Sequence, residues 1–347
     1  MANLLEIRDL QVEFSTKQGT VRALRHVNLS VGEGEILGVV GESGSGKSVA
    51  MLAVMNLLAT NGRVTGGSIL FDGKELSPAG LTTRAEKSAH EKRLSAIRGA
   101  GIGMIFQDPM TYLNPVLRIG TQMTEGILRH VNCSRAEARS RAVELLRKVG
   151  IPSPEKRMHQ YPYELSGGMR QRVIIASALA CGPKLLIADE PTTALDVTVQ
   201  MQILQLIKSA AQEQGTAVVM ITHDLGVVAE ICGRIDILYA GQVVEEGTAF
   251  EIFDTPRHPY TKGLLASAGS AAAMTPRGAL PAIPGTPPNL LSLKGGCAFA
   301  PRCLEAMRIC EGYAPASTAI TLTHACACWQ FCQERAGEIV REGGSAQ

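Results

Sequence analysis

The sequence predicts an α/β fold, and three observations predict it. The first is a short apolar run, Glu35-Ile-Leu-Gly-Val-Val40, that opens directly into Gly41-Glu-Ser-Gly-Ser-Gly46-Lys47-Ser48 and then into a helical stretch. The second is a pair of later apolar runs, Lys184-Leu-Leu-Ile-Ala-Asp189-Glu190 and Thr216-Ala-Val-Val-Met-Ile-Thr-His223, each ending in polar, ionisable side chains. The third is helical patterning between these runs, over about residues 110–180. Runs this short and this apolar read as buried strands.

Taken in order, Leu4–Phe14 and Val21–Val31 alternate in part, with Gly19 between them, and read as an antiparallel hairpin. The strand at 35–40 is followed by G-x-x-x-x-G-K-S and a helix carrying Val49, Leu52, Val54, Met55 and Leu57, the context that a phosphate-binding P-loop requires. Gly41, Gly44 and Gly46, interleaved with Ser43 and Ser45, let the backbone turn tightly and aim its N–H groups at phosphate oxygens. The helix N-terminus adds partial positive charge. Lys47 fits the β- and γ-phosphates, and Ser48 fits Mg²⁺. A further apolar run, Gly103-Met-Ile-Phe106, leads into Gln107, whose amide suits Mg²⁺ or an attacking water. Ser134-Arg-Ala-Glu137 is a capping box; Ala142, Val143, Leu145, Leu146 and Val149 follow at helical spacing, and Gly150 ends that helix. In Leu165-Ser-Gly-Gly-Met-Arg-Gln-Arg172, Ser166 caps a helix whose first N–H groups, at Gly167 and Gly168, stay free for an anion. Asp189 is placed to hold Mg²⁺ and Glu190 to act as general base on the attacking water. His223 either contacts the γ-phosphate and positions Glu190 or is a structural histidine at a strand end.

Together these residues resemble the ABC-type ATPase domain across about residues 5–250. Gly41 to Ser48 matches its Walker A loop, Gln107 its Q-loop, Leu165 to Gln171 its signature, Asp189-Glu190 its Walker B end, Ala194-Leu-Asp196 its D-loop and His223 its switch histidine. The resemblance implies competence for ATP hydrolysis with Mg²⁺. It also implies head-to-tail pairing, in which Ser166, Gly167 and Gly168 serve the ATP of a second subunit. It places the adenine-stacking aromatic near the first hairpin, where Phe14 is the candidate. It further implies that the helical insert grips the coupling helix of a permease; Met110, Tyr112, Leu113, Val116 and Leu117 either line that groove or form insert core.

The chain has 347 residues, 45% of them hydrophobic, enough for a sizeable core in two or three units. With charge balanced at +2, no strongly basic nucleic-acid surface is implied. No apolar run reaches the roughly 18 residues of a membrane span. The N-terminal residues lack a signal-peptide layout, so a cytoplasmic location is expected.

Three units are expected: an ATPase domain at 1–250, an extended connector at 251–293 and a cysteine-rich region at 294–347. Six of the nine cysteines fall in this last region, at 297, 303, 310, 326, 328 and 332, where metal ligation is favoured over disulfides. Cys133, Cys181 and Cys232 stand alone and read as ordinary buried thiols. His258-Pro-Tyr-Thr, Ile283-Pro-Gly-Thr-Pro-Pro288, Gly296-Cys297-x-Phe-x-Pro-Arg-Cys303, Cys310 and His324-x-x-x-Cys328 resemble the tail of ATPase subunits of dipeptide and oligopeptide importers. That resemblance implies a [4Fe-4S] cluster on Cys297, Cys303, Cys310 and Cys328, with Cys326 as the alternative fourth ligand and structural Zn²⁺ as the alternative metal. It also implies a second ATPase subunit, often a paralogue, two membrane permeases, a separate extracytoplasmic binding protein, and a place at the inner face of the cell membrane. Nickel, glutathione and glycosides are rival cargoes. A soluble ABC ATPase of translation or DNA repair is the rival class, although one P-loop, one signature and no heptad run speak against it.

Overall fold

The computed structural model describes residues 3–107, 112–192, 195–268, 282–293 and 295–332. Four strands, β1 (Asn3–Thr16), β2 (Gly19–Gly32), β4 (Gly62–Phe71) and β5 (Lys74–Glu75), form an antiparallel sheet in the order β2-β1-β4-β5. The predicted hairpin forms one side of it, with β2 at the edge, and closes at Thr16 opposite Gly19. The second sheet contains β3 (Ile36–Val40), β6 (Ile102–Ile105), β7 (Leu185–Asp189), β8 (Ala217–Thr222), β9 (Arg234–Tyr239), β10 (Gln242–Thr248), β11 (Thr318–Ala319) and β12 (Ala325–Cys326). Its order is β11-β12-β10-β9-β3-β8-β7-β6, with β9, β3, β8, β7 and β6 parallel and the other three joined antiparallel.

The parallel strands are buried on both faces, which explains their unbroken apolar character. Their side chains alternate between two cores. Leu37, Val39, Leu185, Ile187, Val219 and Ile221 pack with the antiparallel sheet and the helix Lys47–Val54. Ile36, Val40, Leu186, Ala188, Val218 and Met220 pack with the insert and the C-terminal helices. The insert holds the helices Ile119–His130, Arg135–Lys148, Pro154–Arg157 and Gly167–Leu179. The capping box is present in both directions: Ser134 Oγ accepts from the Glu137 N–H (3.2 Å) and Glu137 Oε2 accepts from the Ser134 N–H (2.7 Å). Gly150 follows at φ 72°, a left-handed stop.

Three expectations are adjusted. The helix after the P-loop ends at Val54 rather than running on to Leu57, because Asn56 turns left-handed at φ 49°. The stretch read as an extended connector opens with two helices, Ala249–Asp254 and Pro259–Ser267, the first capped by Thr248 with Glu251 and the second by His258 with Pro259 behind it. The cysteine-rich region is also joined to the cassette, since β12 pairs with β10 at Glu245↔Cys326 and Glu246↔Ala325. Of the residues weighed for a permease groove, Leu113 is buried in the insert core, Tyr112, Val116 and Leu117 are exposed, and Met110 lies outside the described residues.

Candidate nucleotide site

Parallel register decides where the site forms. Val40 lies opposite Thr222, Asp189 opposite Ile221, and Ile105 opposite Ala188. The loop after β3, the Asp189-Glu190 pair after β7, His223 after β8 and Gln107 after β6 therefore leave the sheet at one edge, the carboxyl edge, where open α/β sheets bind ligands. Four motifs scattered over the sequence become one site because their strands run the same way.

In the P-loop, Gly41, Ser45, Gly46 and Lys47 are buried while Ser43 and Gly44 are exposed. A Cβ on Gly41 would stand 2.1 Å from the Leu238 carbonyl oxygen, so only glycine lets the loop lie against β9. Lys47 Nζ donates to the carbonyls of Gly41 (2.7 Å) and Glu42 (2.8 Å). Burial lowers the pKa of this ammonium, against the opposing charges of Glu190, Asp189 and Glu42. Burial raises the Asp189 pKa, with a hydrogen bond from Ser48 working against it. Asp189 Oδ1 is buried without a hydrogen-bond partner among the described residues. A serine hydroxyl beside an orphaned carboxylate oxygen is a hard-oxygen donor pair that fits Mg²⁺.

Glu190 adopts φ 48°, rare for a residue with a side chain, and its N–H donates to the Ile221 carbonyl (2.8 Å). Its Oε1 lies 3.0 Å from His223 Nδ1, the contact expected of this pair. The Glu190 side chain is 14% exposed and that of His223 67%, so the carboxylate is sheltered and the imidazole faces solvent. Gln107 is exposed just beyond β6.

The signature lies on the surface. Ser166 and Gly167 are exposed, and Ser166 Oγ accepts from the Met169 N–H (3.3 Å), capping the helix as expected. Asp196 caps the helix Val197–Gln214, accepting from the Val199 N–H at 3.0 Å; Ala194 lies outside the described residues. Phe14 is half-buried with its ring against the backbone of Gly62, where a Cβ would come within 2.6 Å of Cε1.

The cysteines divide into two groups. Burial pushes the Cys328 thiol up to about 11, and the charges of Cys297, Cys310 and Cys303 act on it. Cys326 is fully buried opposite Glu245 and feels Glu245, Cys328 and Cys332 instead. Cys328 is thus the neighbour of the other three. Yet among the described residues no group of three or more His, Cys, Asp or Glu is arranged to hold a metal ion. The four thiols are neighbours without forming a cage, and burial favours their protonated state at Cys297, Cys303 and Cys328.

Several residues at the site escape sequence reasoning. Glu42 occupies an x position of G-x-x-x-x-G-K-S, and its N–H donates to Tyr260 Oη (2.8 Å). Its carboxylate pairs with Arg302, which also donates to Tyr239 Oη (3.2 Å). Gln171 is buried and donates from Nε2 to the carbonyl of Pro191 (2.8 Å), tying the signature helix to the residue after Glu190. The signals present were Tyr260 in the His-Pro-Tyr-Thr run and Arg302 beside Cys303.

Comparison with known proteins agrees with this geometry. Residues 24–193 match the ABC transporter family and residues 244–310 the oligopeptide/dipeptide transporter C-terminal region. The oligopeptide transport ATP-binding protein OppD of Bacillus subtilis is 51% identical over 95% of this chain and 89% of its own length. The dipeptide transport ATP-binding protein DppD of the same organism is 46% identical over 99% of both chains. The dimeric structure of the ATP-binding cassette MJ0796, in a post-hydrolysis state bound to ADP and Pi, superposes with a TM-score of 0.62 at 30% identity, covering 71% of this chain and 98% of that one. The fold is that of an ATP-hydrolysing ABC cassette. The chain belongs to the ATP-binding subunits of the oligopeptide/dipeptide branch of the ABC transporter family.

Proposed function

We propose that this chain drives the import of di- and oligopeptides through a pair of membrane permeases by hydrolysing ATP. The observation that carries the reading is the union, in one chain, of an ABC cassette with a C-terminal region of the oligopeptide/dipeptide type. Relatives named for oligopeptide and dipeptide transport support peptide over nickel, glutathione or glycoside as cargo. Among the described residues no helix is long and apolar enough to cross a membrane; the relatives' role as ATP-binding proteins of transporters supports a place against permeases at the cytoplasmic face. The exposed side chains of Tyr112, Val116 and Leu117 supply an apolar surface for that contact.

Within the site, Lys47 and the N–H groups of the loop from Gly41 to Ser48 take the phosphates, and Ser48, Asp189 and Gln107 take Mg²⁺. Mg²⁺, when bound, neutralises charge on the β- and γ-phosphates. Glu190 accepts a proton from the attacking water, and His223 holds the Glu190 carboxylate in position. Phe14 stacks on adenine. Ser166, Gly167 and Gly168 are offered outward to the ATP of a second ATPase subunit, with Asp196 at the same junction; the dimeric state of MJ0796 supports this pairing, and a paralogue is the proposed partner. Cys297, Cys303, Cys310 and Cys328 are the thiols that would hold a [4Fe-4S] cluster; iron and acid-labile sulfide in anaerobically purified protein test this, and zinc or no metal would refute it.

Co-purification from mildly solubilised membranes tests the transport reading. Two multi-spanning permeases and a second ATPase are expected, whereas recovery with ribosomes or DNA would overturn it. Glu190→Gln tests the chemistry: ATP-bound dimers should accumulate and turnover should fall by a hundredfold or more, in line with about 10²–10⁴ for a general base. Full activity in that variant would remove Glu190 from its role.

A further inference from the structure

The cysteine-rich tail reaches the phosphate-binding loop. Arg302, between Cys297 and Cys303, is buried, with only 6% of its side chain exposed. Its guanidinium forms a two-point pair with the carboxylate of Glu42, Nη1 to Oε2 at 2.7 Å and Nη2 to Oε1 at 3.0 Å. Nη1 also donates to Tyr239 Oη, and Nε donates to the Pro284 carbonyl at 2.9 Å. The guanidinium lies 5.9 Å from the Tyr239 ring centroid and 6.0 Å from that of Phe299. Four of the five N–H directions of this fork are therefore set by the protein.

Glu42 sits at an electrostatically awkward place. It follows the first glycine of a loop built to attract phosphates, and its own carbonyl accepts from Lys47 Nζ. A free carboxylate there would repel a triphosphate and draw the ammonium toward itself. Pairing in a half-buried setting removes that charge from the loop's field. The fork, together with the Tyr260 hydroxyl on the Glu42 N–H, also fixes the loop's backbone at its second residue.

We propose that Arg302 is a positioning residue for the ATP site: it acts through Glu42, neutralising the loop and holding it open to phosphate, so that the C-terminal tail completes the site of its own cassette. This rests on the assignment of Lys47 and its loop to phosphate binding. A Lys47→Ala control separates the two: undiminished ATP binding in that control would remove the loop assignment, not the role of Arg302 alone.

The test is the ATP KM and kcat of the purified transport complex carrying full-length variants. Arg302→Ala should raise KM about ten-fold with kcat within two-fold of wild type, the scale of one uncompensated charge near a polyanion. Glu42→Gln alone should leave KM at or below the wild-type value. Combined with Arg302→Ala it should bring KM back to within about three-fold, since no carboxylate is left to compensate. Arg302→Lys, which keeps the charge and loses the fork, should fall between. An unchanged KM in Arg302→Ala would overturn the proposal. So would a KM defect that Glu42→Gln does not relieve, because a residue that merely fills space beside Tyr239 and Phe299 predicts that result. If Arg302→Ala does not assemble, Glu42→Gln and Arg302→Lys decide: a ten-fold rise in KM in Glu42→Gln, or none in Arg302→Lys, counts against it.

Discussion

Removing the Glu245 carboxylate should loosen the C-terminal region from the cassette. The side chain is fully buried and accepts three hydrogen bonds: from the N–H of Arg257 (2.6 Å), from the N–H of His258 (2.9 Å) and at Nε2 of His324 (2.7 Å). Glu245→Ala strands two backbone N–H groups and one imidazole nitrogen in the interior. At about 1–3 kcal/mol for each buried group left without a partner, the loss is at least about 3 kcal/mol. At about 2 °C per kcal/mol for a chain of this size, Tm should fall by at least about 6 °C. Glu245→Gln is the sharper variant. Its oxygen can keep the His258 N–H, its NH₂ then opposes the Arg257 N–H, and His324 can switch tautomer to accept. One conflict remains, so the drop should be about a third of that of the alanine variant. Thermal unfolding of the purified chain measures both, and limited proteolysis shows whether residues near His324 become accessible. A Tm within 2 °C of wild type for Glu245→Ala, with the tail still protected, would refute the reasoning.

Two further predictions rest on local geometry. His258 is buried and accepts the Tyr260 N–H at Nδ1, and burial, helped by the charge of Lys262, depresses its pKa to about 4. The unfolded chain takes up this proton near pH 6.5, so His258 contributes stability above that pH and loses it as pH falls toward 4. Tm measured from pH 7 to 4.5 should therefore fall less steeply in His258→Asn, which retains a capping acceptor; parallel curves would refute this. In the P-loop, Gly41→Ala drives a Cβ against the Leu238 carbonyl, while the site of a Gly44→Ala Cβ is empty within 4 Å. Nucleotide-free Tm should fall by an amount equivalent to about 3 kcal/mol in the first, from overpacking, and about 1 kcal/mol in the second, from left-handed backbone at φ 79°. Equal losses would contradict the contact.

How much was legible beforehand follows from the range of the interactions. Apolar runs that end in Gly41, Asp189 and His223 mark strands by local composition, and their parallel register then assembles the site without further information. The Ser134–Glu137 box is legible for the same reason, since both partners lie within one turn. Glu190 is legible as a carboxylate but not in its left-handed backbone, which follows from the Ile221 carbonyl on the neighbouring strand. Arg302 and Glu42 stand 260 positions apart, and neither carries a pattern that names the other. The two-residue strands β11 and β12 are too short to have a periodicity; the edge of β10 accepts β12, and β12 in turn accepts β11.

These long-range contacts change what the C-terminal region is for. A tail that folded only around its own metal would need few bonds to the cassette. Here it extends the main sheet at β12, supplies His324 to a carboxylate buried on β10, and sends Arg302 to the loop in which Lys47 lies. Phe299, three residues before Arg302, packs edge-on to Tyr239 on β9, and Tyr239 leans on Tyr260, whose hydroxyl meets the loop. Cys297 and Cys303 bracket the segment that carries both Phe299 and Arg302. The cysteine-bearing segment and the phosphate loop are in this way two ends of one short chain of contacts.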